Sequence, residues 1–113
     1  MSDGAYYLAG YAVECALKAC IAKATQKHEF PDKKKVDSSY SHNLDLLVRL
    51  VGLEKVREAY IGRSPEFLRN WSAVQQWSED SRYQKHSAQA AADLVEAVGA
   101  RNQGVISWIK LYW

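Results

Sequence analysis

From Ala5 to Ala22 the chain carries only Glu14 and Lys18 as charged side chains, and apolar residues fall on nearly every face at helical spacing. Such a segment predicts a helix at the centre of a bundle, with Ser2 and Asp3 as its possible N-caps. Its small residues Ala5, Ala9, Gly10, Ala12, Ala16 and Ala19 let neighbouring helices approach, while Tyr6, Tyr7, Leu8, Tyr11, Val13, Leu17 and Ile21 fill the space between. The helix is expected to run into Lys23 to Lys27 and to fray before Pro31.

His28 to Tyr40 lacks periodic apolar positions and holds Pro31, the Lys33 to Lys35 run and Ser38-Ser39, which predicts a solvated loop. Ser41 then reads as the cap of a short helix bearing Leu44, Leu47, Val48 and Val51, stopped by Gly52. A second short helix is expected over Leu53 to Ile61, ending at Gly62. Ser64-Pro65-Glu66 supplies a cap, a proline at the first helical position and an acid in the first turn, the clearest helix start in the chain. Phe67, Leu68, Trp71, Val74 and Trp77 form the stripe that follows. Ser78 to Lys85 is a polar break, and Ser87 caps a predicted final helix bearing Ala91, Leu94, Val95, Val98, Val105, Ile109 and Tyr112, which would reach about 40 Å and bend at Gly99 and Gly104. The pattern therefore predicts an all-α protein, an antiparallel up-and-down bundle of four to five helices.

Composition narrows this picture. A length of 113 residues suits one domain, 1–113, and 48% hydrophobic against 25% charged residues excludes a disordered composition. The net charge of +2 is too balanced to be a nucleic-acid footprint. No basic region precedes the first apolar run and no cleavage pattern ends it, while Glu14 and Lys18 near its middle argue against a membrane span, so a cytoplasmic protein is expected. Cys15 and Cys20, turned roughly 140° from each other on one helix, are expected to be two small buried thiols rather than a disulfide.

The run Gly4-Ala5-Tyr6-Tyr7-Leu8-Ala9-Gly10-Tyr11-Ala12-Val13-Glu14-Cys15-Ala16-Leu17-Lys18 resembles the signature helix of HEPN domains, the higher eukaryotes and prokaryotes nucleotide-binding family. Phe30-Pro31, His42 with Leu44 and Leu47, Trp77 and Arg82-Tyr83 follow in the order that family shows. The resemblance implies a small bacterial helical bundle, often a homodimer, frequently paired with a minimal nucleotidyltransferase as toxin and antitoxin. Members usually carry a helix before the signature segment, whereas this chain begins at it, which is expected to leave apolar surface for a dimer.

Ribonucleases of that family use an arginine followed, after four to six residues, by a histidine, for charge stabilisation and proton transfer. None of Arg49, Arg57, Arg63, Arg69, Arg82 and Arg101 meets that spacing; Arg101-Asn102 opens like the motif, but Ile106, Ser107 and Trp108 stand where the histidine would be. The nearest substitute is Arg82 with His86, either a shifted catalytic pair or an arginine anchoring a loop beside an exposed histidine. Glu14 and Lys18 are spaced for an ion pair on an apolar helix; alternatively Glu14 faces a cleft with Tyr11, Arg82 and Tyr83 and helps to hold a nucleotide, an RNA or a partner's charged group. His42 reads as a helix-start residue, and Trp108 and Trp113 as candidates for a dimer surface. His28, His42 and His86 lack zinc-site spacing, and no glycine-rich phosphate loop occurs, so neither metal nor cofactor is expected. Three functions stay open: a non-catalytic interaction module, a ribonuclease toxin using Arg82 and His86, and a structural bundle subunit.

Overall fold

In a computed structural model, described for residues 2–26 and 41–113, the chain is an all-α bundle. Six helices appear among the described residues: α1 (Ser2–Gln26), α2 (Leu44–Leu50), α3 (Glu54–Arg63), α4 (Pro65–Gln75), α5 (Ala88–Gly99) and α6 (Val105–Lys110), with a 3₁₀ turn at Glu79–Tyr83 between α4 and α5. The predicted loop at 28–40, with His28 and Lys33 to Lys35, lies outside the described residues.

α1 is the central element, packing against α2, α5, α6 and the 3₁₀ turn, while α4 packs on α3, α5 and α6. Val13 and Leu17 of α1, Leu47 and Val48 of α2, Phe67 and Val74 of α4, and Val105 and Ile109 of α6 are fully buried and form one continuous core. Trp108 sits among aromatic rings, tilted against Phe67 at 5.3 Å and edge-on to Trp71 at 6.2 Å. Gly10 has a specific packing role: a methyl there would fall on the Trp77 indole, whose Nε1 donates to the Tyr7 carbonyl at 3.1 Å. The small residue lets that indole lie flush on the helix backbone.

Several boundaries differ from the expectation, for local reasons. The cap of α2 is Asn43, whose Oδ1 accepts from Leu46 N at 3.1 Å, while Ser41 Oγ accepts from Asn43 N one step earlier. α3 runs through Gly62 to Arg63, because the cap of the next helix, Ser64, is what ends it. The long final helix is two helices: Gln103 takes a positive φ of 64°, and a methyl at Gly104 would fall on the Ala100 carbonyl, so only glycine permits the tight turn between α5 and α6. The polar break at 78–85 holds the 3₁₀ turn, closed by Ser78 N donating to the buried Ser81 Oγ at 3.1 Å. Gly52, with φ 81°, stops α2 as its position predicted.

α1 is not covered all round. Ala5, Leu8, Tyr11, Ala12, Cys15, Ala19 and Ala22 are exposed, so Cys15 is not the buried thiol expected, although Cys20 is buried. Trp108 belongs to the core rather than to a dimer surface, whereas Trp113 is exposed. No helix among the described residues is long and apolar enough to cross a membrane.

Candidate functional site

The most unusual side chain of the core is Glu14. α1 turns it inward between Val13 and Leu17, and it is only 2% exposed. A buried carboxylate needs partners, and Glu14 has two. Lys18, one turn further along α1, lies 3.2 Å from Oε2, and His42, on the segment leading into α2, brings Nδ1 to 3.0 Å from both carboxylate oxygens. The other ring nitrogen of His42 is 3.4 Å from Glu79 Oε1 on the 3₁₀ turn. Each ring nitrogen of His42 thus faces a carboxylate. The imidazole thereby ties together α1, the start of α2 and the 3₁₀ turn.

His42 also lines a cavity of about 390 Å³, whose walls include Asn43, Asp45, Gln75, Glu79 and Asp80. Two of these residues, Asp45 and Gln75, belong to a second charge cluster. Asp45 accepts from Arg57 Nη1 at 2.8 Å and from Gln75 Nε2 at 3.1 Å, and the Arg57 guanidinium lies over the Trp71 ring at 5.1 Å. Three of the nine lining residues, Asp45, Glu79 and Asp80, are carboxylates, so a phosphate-bearing ligand would meet repulsion there.

The expected site residues are only partly brought together. Glu14 and Lys18 form the anticipated pair, but Lys18 is about a third exposed, so the pair is half in solvent. Tyr11 is exposed and does not complete a cleft around Glu14; it stacks on Tyr7 at 5.9 Å, and its phenol is held above the ordinary value first by a hydrogen bond with Cys15. Tyr83 is exposed at the end of the 3₁₀ turn, and Arg82 precedes it, with its side chain outside the described residues.

His86 is occupied rather than free at the surface. Its ring stacks on Tyr6, centroids 3.7 Å apart and planes 12° from parallel. Its Nε2 is 3.0 Å from the Ser81 carbonyl, and its backbone N–H donates to the Asp3 carboxylate. That carbonyl can only accept, so Nε2 carries the proton. Burial in this stack pushes the Tyr6 phenol above its ordinary value.

Arg101 and Asn102 line a different cavity, of about 520 Å³, together with Ser107, Trp108, Tyr60 and Glu66. Ser107 Oγ donates to the Ala100 carbonyl at 2.9 Å, and the buried Trp108 Nε1 has no hydrogen-bond partner among the described residues. Neither side chain at these positions supplies a titratable acid or base near neutral pH. No group of His, Cys, Asp and Glu among the described residues is arranged to hold a metal ion.

Reading the sequence missed the partnership of His42 with Glu14, and of Asp45 with Arg57. These pairs are 28 and 12 residues apart, so no helical spacing announces them. The fold and these clusters define an all-α helical bundle with two part-buried charge clusters, one around Glu14 and one around Arg57. No protein-family model matches the chain, and no curated protein or solved structure matches it either.

Proposed function

We propose that this protein is a HEPN-like, non-catalytic interaction module that works as a homodimer and pairs with a nucleotidyltransferase in a toxin-antitoxin or defence setting. One observation carries the reading: among the described residues Glu14 and His86 are tied into the fold, while the exposed face of α1 is apolar. Glu14 is held by Lys18 and His42, and His86 is committed to Tyr6 and Ser81. Leu8, Tyr11, Ala12, Cys15 and Ala19 meanwhile face outward on a single helix, the kind of surface that proteins use for association. The family and the nucleotidyltransferase partner rest on the resemblance of residues 4–18. Nucleotide or RNA binding draws less support, since carboxylates crowd the cavity beside His42.

Two measurements test this. Sedimentation across the micromolar range is expected to report self-association. Single-stranded RNAs incubated with the native oligomer are expected to stay intact, or to be cut at a rate that Arg82→Ala and His86→Ala leave unchanged. Cleavage lost in both variants, with helicity retained, would instead establish the ribonuclease reading.

A further inference from the structure

We infer that the cavity bounded by α3, α4, α6 and the α5–α6 turn binds a small zwitterion, of the chemical class of a free amino acid with an apolar side chain. None of its lining residues belongs to α1, so the site is separate from the association surface named above.

One side-chain tether shapes the cavity. Glu66 and Asn70 are four residues apart on one face of α4, and Asn70 Nδ2 donates to the Gln103 carbonyl at 2.9 Å. That bond draws the turn carrying Arg101 and Asn102 alongside Glu66, and the positive φ of Gln103, 64°, redirects the chain into α6. Tyr60 of α3 supplies another side, its ring stacked on Phe67 at 4.2 Å. The space so formed is about 520 Å³, a volume suited to one small molecule.

The lining holds two charges of opposite sign that do not neutralise each other. Arg101 and Glu66 are both exposed, and neither makes an ion pair with the other or with any other described residue. A guanidinium takes a carboxylate through paired N–H donors, and a carboxylate takes an ammonium, so the two together recognise a ligand that carries both groups. A phosphate or a polynucleotide satisfies the arginine alone and is repelled by Glu66. Ser107 Oγ already donates its proton to the Ala100 carbonyl, which leaves its lone pairs for the ammonium. The apolar part of the ligand has a wall of its own in the Trp108 indole and in Leu111, 73% exposed. Trp108 is deeply buried, and its Nε1 has no partner among the described residues, a donor in this wall that the fold leaves unused. Both charged groups stand in solvent, so the expected affinity is millimolar.

The test is a chemical-shift titration of the full, isotope-labelled chain with L-phenylalanine as probe. Saturable shifts are expected at Asn102, Trp108 and Leu111. Phenethylamine, which lacks the carboxylate, and hydrocinnamate, which lacks the ammonium, are expected to bind at least about tenfold more weakly, the scale of one charge-assisted bond. Arg101→Gln is expected to weaken phenylalanine and leave phenethylamine unchanged, while Glu66→Gln weakens phenylalanine and leaves hydrocinnamate unchanged. Both positions are exposed, and circular dichroism verifies that each variant keeps its helicity. Hydrocinnamate or inorganic phosphate binding as tightly as phenylalanine would reduce the cavity to a plain anion site and overturn the inference. Absence of saturable shifts, or shifts that neither substitution alters, overturns it as well.

Discussion

A carboxylate with 2% of its surface exposed persists in a helical core only where cationic or donating groups reach it, and for Glu14 those are Lys18 and His42. Removing it strands neither partner in a dry interior. Their side chains are 31% and 41% exposed, so both regain water when the carboxylate goes. Glu14→Ala is thus expected to destabilise the fold by about 1–3 kcal/mol, the scale of lost charge-assisted hydrogen bonds, rather than by the larger penalty of an uncompensated buried charge. Urea denaturation monitored by circular dichroism measures this, and an unmoved midpoint would mean the network contributes nothing. His42 was legible from the sequence only as a residue near a helix start. Its role comes from a partner 28 positions away, which no local pattern encodes.

Among the helices, glycines of identical chemistry take opposite roles, decided by what lies beside them. Gly10 underlies the Trp77 indole, so Gly10→Ala is expected to cost about 1–3 kcal/mol by forcing the ring off α1. Gly62, inside α3, has nothing within 4 Å of an added methyl, and Gly62→Ala is expected to stabilise by about 0.5–1 kcal/mol through helix propensity alone. Thermal unfolding of the two variants should shift in opposite directions; a shared sign would refute the contact argument. Helix starts were the most legible elements. Ser64 and Ser87 cap α4 and α5 through side-chain bonds of 3.1 and 3.0 Å, because a cap is a local hydrogen bond written in adjacent residues. Helix ends were less legible: the division of the last helix depends on the φ of Gln103 and the closeness of Gly104 to Ala100, both set by how α6 packs.

At the scale of the whole molecule, stability concentrates where α4 and α6 meet, since Phe67, Trp71 and Trp108 pack there as one aromatic cluster. Trp108→Ala is expected to cost about 3–5 kcal/mol and to lower a single cooperative transition, rather than to release α6 alone. Matching midpoints by tryptophan fluorescence and circular dichroism would verify this, and an early separate transition would count against it. The unpaired Trp108 Nε1 makes no offsetting hydrogen bond among the described residues, so packing accounts for the loss.

By itself the sequence determined that the protein is helical, where most helices begin, and that α1 is the central element, because periodicity, caps and the distribution of charge are local properties of the chain. Only the tertiary structure decided that one apolar face of α1 remains open, that His42 rather than Tyr11 meets Glu14, that His86 stacks on Tyr6, and that Trp108 belongs to the core. The reason is physical. An apolar helix specifies that its faces can be buried, but which face is covered depends on the reach and number of the other helices, which meet it across dozens of residues of sequence.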